Sequence, residues 1–181
     1  MRHLTCDPDV KVVGGNILSV LQNVNAKEIH PYAVKHELGD VKADEWYPLT
    51  QWLDMMNDLI ENTYFMSNLV AIGMSLAEKV NLPPHMQDAT YEDILLAWDD
   101  IYHHQHQGDN IGNHHIEKIS DTQFKCTFTD VYPDDLKYGI AYGFARRFLP
   151  KGTQIIIEYD DLNNRMDEGS SPETVMHISW N

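Results

Sequence analysis

Up to Gly108 the apolar residues of this chain recur at intervals of three and four; beyond it they alternate. The clearest segment runs from Thr90 to Gly108. Thr90 predicts an N-cap, with Asp93 three residues on to answer it, and Gly108 predicts a stop. Ile94, Ala97, Trp98 and Ile101 form its inward stripe, flanked by Leu95 and Tyr102, while Asp99, His103 and His106 share the opposite face. Earlier in the chain, Asn16 predicts the cap of a short helix bearing Ile17, Leu18, Val20, Leu21 and Val24. A helix over 27–38 follows, broken at Pro31 and ended by Gly39. Pro48 predicts the first turn of a helix that presents Leu49, Trp52, Leu53, Met56, Leu59 and Ile60 on one side. A further helix, about 64–80, turns Leu69, Ile72 or Gly73, Leu76 and Val80 inward and stops at Asn81-Leu82-Pro83-Pro84.

After the turn chemistry of Gly108-Asp109-Asn110 and Gly112-Asn113, residues 114–119 read as a strand. Residues 123–129 read as its hairpin partner, with Phe124, Cys126 and Phe128 on one side. Pro133-Asp134-Asp135 opens a helix through Leu136, Ile140, Phe144 and Phe148 that closes near Pro150. Gly139 and Gly143 give it a smooth strip where another element can approach closely. The β-branched run 153–159 predicts a buried strand, and 174–180 the last strand, across a loop containing Asn163-Asn164 and Glu168-Gly169-Ser170. The expectation is a single α+β domain over 1–181. Its N-terminal helical half, about 1–108, packs on a C-terminal β-β-α-β-β antiparallel sheet unit, about 109–181.

Charge narrows the partners. Across 181 residues, 13 Lys and Arg stand against 28 Asp and Glu, a net charge of −15. Neither a nucleic-acid backbone nor an anionic membrane suits so acidic a surface. Cys6 and Cys126 are the only cysteines, too few for a disulfide framework or a zinc-finger cage. No run reaches the roughly 18 apolar residues of a membrane span. The first residues lack a basic segment followed by an apolar one, so a cytoplasmic protein is expected. No G-x-S-x-G, Walker loop or dinucleotide fingerprint is present, so a non-catalytic role is the expectation, with a metal-dependent enzyme using the His103/His106 cluster as the alternative.

Two clusters of residues carry candidate chemistry. Asp99, His103 and His106 meet on one helical face, and His114 or His115 could close a divalent-metal site, zinc being suited to such N and O donors. The plainer alternative is a set of histidines decorating a helix C-terminus. A third reading needs no metal: histidines beside Asp99 and Asp100 would hold protons more tightly and act as a pH-responsive patch. Elsewhere, Trp52, Trp98 and Tyr102 could wall an apolar cavity between helices and sheet. Met56 and Met74, with Met55 and Met66, would make its lining pliable. Ordinary core packing explains the same residues. Arg146-Arg147 could meet an anion, or simply be solvated at a helix end.

Over the second half the chain resembles the heme-NO/oxygen-binding (H-NOX) domains and their relatives, the vinyl-reductase-type ligand-binding domains and transport-particle subunits. The stretches that carry the resemblance are Trp98 to His103 (W-D-D-I-Y-H), Gly139 to Phe148 (G-I-A-Y-G-F-A-R-R-F), the isoleucine strand ending in Glu158, and Arg165 to Ser170. The resemblance implies a sensory or regulatory domain that binds a small ligand and acts through a partner or a homodimer; a non-catalytic assembly subunit is the alternative. In the heme-binding members a proximal histidine ligates iron, and the residue at that place here is Tyr102, with His103 one step and about 100° away. The family's Y-x-S-x-R motif, which grips the heme propionates, falls on Cys126, Phe128 and Asp130, and an Asp repels a carboxylate. Heme held in the usual way is therefore not expected, and a small apolar ligand is. The cysteines that the vinyl-reductase-type relatives carry before the last strand have no counterpart between Asp160 and Gly169.

Overall fold

The structure, a computed structural model, describes residues 3–22, 26–62, 69–80, 82, 86, 88–161 and 172–181. The elements run β1 (Lys11–Val13), α1 (Gly14–Leu21), α2 (Ala26–Lys35), β2 (Trp46–Pro48), α3 (Leu49–Asn62) and α4 (Leu69–Lys79). They continue with α5 (Tyr91–Leu96), α6 (Trp98–His104), β3 (His106–Gln107), β4 (His114–Ser120), β5 (Gln123–Phe128), α7 (Asp134–Phe148), β6 (Ile155–Tyr159) and β7 (Thr174–Trp180). The α+β class and the C-terminal β-β-α-β-β unit stand as expected. The predicted caps at 81–84 and the loop at 163–170 lie almost wholly outside the described residues.

The helical half is not all helix. Its three short strands form an antiparallel sheet in the order β2-β1-β3, with Val12 opposite both Tyr47 and His106. Trp46–Pro48 is thus an edge strand, where a proline costs no ladder bond, and the helix begins only at Leu49, whose N–H reaches the Val10 carbonyl at 2.8 Å. Nor does Asn16 cap α1. Gly14 and Gly15 are already helical, and their N–H groups are met by the Glu45 (2.8 Å) and Ala43 (2.9 Å) carbonyls, so no capping side chain is needed. Pro31 lies within an unbroken α2. That helix ends at Lys35 and is closed not by Gly39 but by Glu37, which takes φ 59° while Leu38 N–H bonds the Ala33 carbonyl at 2.7 Å, a Schellman closure that buries Leu38.

The segment 90–108 departs most from a single helix. The Thr90/Asp93 capping box forms as expected. The helix then breaks at Ala97 (φ −85°, ψ −1°), restarts at Trp98, and ends before Gln105, so His106 belongs to β3 rather than to the helical face of Asp99 and His103. Pairing with β1 removes it. Gly108, at φ 112°, turns the chain after that strand.

The larger sheet has the order β4-β5-β7-β6, all antiparallel. β6 is therefore an edge, only partly covered, and Ile156 is 39% exposed; the buried strand expected there is half-buried, because β-branched composition does not reveal how many neighbours a strand has. One core lies between this sheet (Phe124, Cys126, Phe128, Ile157, Met176, Ile178) and α5 and α7 (Tyr91, Ile94, Leu95, Ala141, Phe144, Ala145). A second core fills the N-terminal half around Val12, Ile17, Leu49, Trp52, Met56 and Leu59.

The halves are clasped by α4 against α7, backbone to backbone. A Cβ on Gly139 would stand 2.2 Å from the Val70 carbonyl oxygen, and one on Gly73 would stand 2.3 Å from that of Leu136. Arg147 of α7 donates to the Ala77 and Val80 carbonyls at 2.9 Å each, closing the end of α4, so it is a helix cap and not a free anion site. Gly139→Val is expected to cost about 1–3 kcal/mol through overpacking, read as a lowered urea midpoint, whereas Gly152→Ala, with no atom within 4 Å of an added Cβ, carries only the strain of its φ of 93°.

Candidate functional site

Where the two cores meet they do not close completely. A cavity of about 160 Å³ lies at the seam, between Val20 of α1, Trp52 of α3, Leu76 and Ala77 of α4, Trp98, Ile101 and Tyr102 of α6, and Ile140 and Phe144 of α7. Its polar lining includes His106, His114, Asp130 and Lys137. Trp52, Trp98 and Tyr102 thus come together as the sequence suggested. Met56, fully buried in the first core, and Met74, half-buried on α4, do not line it.

One wall is a stack of rings. Tyr102 lies between His106 and His114, with centroids 4.3 Å away on either side and tilts of 34° and 31°. Trp98 and Phe128 pack against His114 in T-shaped pairs, with centroids 5.9 and 5.0 Å away. The Tyr102 hydroxyl donates to the Ile111 carbonyl, and burial, reinforced by Asp130, pushes its ionisation well above the ordinary phenol range. His106 sits with Nδ1 2.7 Å from the Tyr102 carbonyl and Nε2 2.8 Å from the Tyr132 hydroxyl. A carbonyl can only accept, so Nδ1 carries the proton and Nε2 accepts from Tyr132. Burial, the largest influence, lowers the proton affinity of His106 despite Asp130 nearby. The raised affinity expected of a surface patch is therefore reversed at this residue, because desolvation outweighs the neighbouring carboxylate.

Behind the stack is a buried ion cluster. Asp130 has no exposed surface; its Oδ1 accepts from Tyr132 N–H at 2.8 Å and Lys137 Nζ at 3.1 Å, and its Oδ2 faces His114 Nε2 at 3.0 Å. Lys137 also reaches Asp134 Oδ1 at 3.0 Å and the Tyr132 carbonyl at 2.9 Å, and lies over the Phe128 ring. Thr174 of β7 donates to Asp134 Oδ2 at 2.6 Å. Gly112, at φ 83°, lets the chain pass Asp130 so closely that a Cβ would stand 2.5 Å from its Cα. The sequence reading missed Lys137 as a site residue. The signal was there: Lys137 precedes Ile140, Ala141 and Phe144 by three, four and seven residues, an ammonium on the buried stripe of a helix.

The four residues considered for a metal do not converge. Asp99 Oδ1 accepts from His114 N–H at 2.6 Å and lies 3.5 Å from His103 Nε2 at the surface. His106 points inward to Tyr132, and His114 Nε2 is committed to Asp130. Among the described residues no group of three or more His, Cys, Asp or Glu is placed to hold a metal ion. The two cysteines are free; burial holds the Cys126 thiol up at about 12, and burial with nearby acids holds Cys6 at about 11, so neither is a ready thiolate.

The heme suggested by the resemblance can be tested on the same residues. Tyr102 keeps its phenolic proton and spends it on a backbone carbonyl, so it offers no tyrosinate to iron. Cys126 and Phe128 are fully buried in the sheet core, and Asp130 presents negative charge to Lys137. These positions do not fit heme gripped in that family's manner.

Two outcomes follow from the polar wall. Because His106 is held neutral when folded but titrates near 6.5 when unfolded, the unfolded chain binds the extra proton. Stability should fall as pH drops below about 6.5, by at most about 1.4 kcal/mol per unit. Urea midpoints at several pH values should show part of this slope vanish in His106→Gln. Lys137→Met, which strands two buried carboxylates, should cost about 3–5 kcal/mol in the same assay at neutral pH.

No protein-family model matches the chain, and no curated protein sequence does. Solved structures do. An H-NOX protein from S. oneidensis in the Fe(II)NO ligation state superimposes with a TM-score of 0.67 at 14% identity, over 93% of this chain and 99% of that one. A variant of Tt H-NOX gives 0.70 at 9% identity, over 93% and 95%. An oxygen-binding H-NOX domain related to soluble guanylate cyclases, in its oxygen complex, gives 0.65 at 9% identity, over 93% and 92%. The architecture built up above, helices and a small sheet clasped onto a four-stranded antiparallel sheet, is the H-NOX fold.

Proposed function

We propose that this protein is a small-molecule-binding sensory or regulatory domain that takes a mainly apolar ligand in the cavity at the seam, without heme bound in the usual way. One observation carries the reading: a cavity walled by Trp52, Trp98, Tyr102 and Phe144 sits where two separately packed cores meet. Packed interiors rarely leave such a volume, and an engineered apolar cavity of about 150 Å³ takes up benzene. The neighbours in fold are described with Fe(II)NO and with oxygen, so small ligands are at home on this architecture.

The signal would be a population shift. A ligand touching Trp98, Ile101 and Tyr102 bears on α6, which joins α5 at the single residue Ala97 and reaches the sheet through Asp99 and His114. Ligand-favoured placement of α6 would alter the surface around Asp99 and His103, read by a partner or a second copy in the cytoplasm. The acidic net charge, −15, favours a protein partner over nucleic acid.

Thermal unfolding with toluene as probe tests this. At about 100 times its dissociation constant, a ligand confined to the native state adds about 2.7 kcal/mol, which raises Tm by roughly 5–10 °C in a chain this size. Ile101→Trp, which fills the cavity from its partly exposed side, should abolish the rise while leaving the ligand-free Tm near that of the parent. Toluene and similar one-ring probes all leaving Tm unchanged would defeat the proposal. So would a stoichiometric heme absorption band in protein from heme-supplemented cells.

A further inference from the structure

The four-stranded sheet has two edges, and they are treated differently. The β4 edge is guarded: Asp99 of α6 accepts from the His114 N–H at 2.6 Å, Lys118 pairs with Glu92 at 2.9 Å, and the register slips between Lys118 and Ser120. Covering helices, lysines and bulges are what keep a sheet edge from pairing further. β6, at the other end, has no lysine or proline within Ile155–Tyr159, and its pairing with β7 runs without a slip. The phase of that ladder is fixed by Gln154 and Asn181, which exchange N–H to carbonyl bonds of 3.3 and 3.2 Å, and by Asp160 N–H on the Val175 carbonyl at 2.9 Å. Residues 154, 156, 158 and 160 therefore bond toward β7, and the N–H and C=O groups of Ile155, Ile157 and Tyr159 point outward. Among the described residues nothing bonds to those backbone groups.

The side chains along this edge are sorted. Ile155, Ile157 and Tyr159 pack on the sheet core, and the Tyr159 hydroxyl donates to Asp135 at 3.1 Å. Ile156 and Glu158 lie exposed on the opposite face. We propose that β6 is a docking edge for an extended segment of a basic partner protein, which joins the sheet as a fifth, antiparallel strand, a Lys or Arg meeting Glu158 on the outer face and alternate apolar side chains lying opposite Ile155, Ile157 and Tyr159. Every pair already in the sheet is antiparallel. In such an addition the main-chain bonds give affinity and the alternating side chains give specificity. Charge selects the partner. Glu158, Asp160 and Asp161 stand together at one end of β6, and the whole chain carries −15, so a second copy is repelled while a cationic strand is drawn in. This edge is at the far end of the sheet from β4 and α6, and the inference stands apart from the cavity.

Fluorescence anisotropy with a short labelled peptide of alternating lysine and valine tests this on the unmodified protein. The peptide should bind about tenfold more tightly than one of the same composition whose lysines and valines form two blocks. In the antiparallel arrangement the valines lie opposite Ile155, Ile157 and Tyr159, so their N–H groups make the new ladder. Methylating the valine nitrogens should weaken binding about tenfold, and methylating the lysine nitrogens should leave it nearly unchanged. On the protein side, Ile155→Pro removes one outward N–H while sparing every bond to β7, and it should weaken the peptide as well. Equal binding of the alternating and block peptides would reduce the effect to bulk charge and overturn the proposal. So would equal effects of the two methylations, or no binding at all. Sedimentation showing a dimer of this chain that Ile155→Pro dissolves would put a second copy on the edge and overturn the choice of partner.

Discussion

A carboxylate with no water around it must have its lone pairs answered by the protein, and Asp130 is such a group. Its partners come from three places in the chain: the start of β4 through His114, its own loop through Tyr132 N–H, and the second turn of α7 through Lys137. Lys137 passes the connection to Asp134, and Thr174 passes it to β7. Ion pairs buried this deeply add little net stability compared with well-packed apolar groups, but breaking one is costly. What they add here is position. They fix where the helix that covers the sheet must begin, and which way the histidine at the head of β4 must face.

That placement explains why a space survives between two well-filled cores. The N-terminal core packs around Trp52 and the sheet core around Phe124 and Phe128, and each is complete on its own side. The α4–α7 clasp holds them at a distance set by glycine backbones, not by side chains that could shift to fill the gap. On the other side the ring stack of His106, Tyr102 and His114 is pinned by hydrogen bonds at both ends. A volume bounded by parts anchored in this way is not closed by small side-chain shifts alone.

Much of this was legible in the residues, and the rest failed for identifiable reasons. Local chemistry read well: the capping box at Thr90, the hairpin from His114 to Phe128, the start of α7 at Asp134 and the span of β7 all came from neighbours in sequence. The strip at Gly139 and Gly143 read correctly as a place of close approach, although its partner was not visible. Misplaced elements were those decided by distant contacts. No glycine or proline marks the break at Ala97; β1 pulls His106 out of the helix; Trp46–Pro48 is a strand because it has β1 to pair with. Trp52, Trp98 and Tyr102, three of the aromatic residues that line the cavity, were marked by size and spacing. The ion cluster was not, because Asp130, Lys137 and His114 are linked only in space.

The clasp between α4 and α7 has a consequence for how the chain reaches this state. Its two members are separated by α5, α6, β3 and the first hairpin of the large sheet, so they meet only by closing a long loop, an entropically slow step. A ribosome releasing the chain from its N-terminus delivers α4 well before the helix that shields its glycine face. Until α7 emerges, that groove of bare backbone is open to any small-residue surface in the cell.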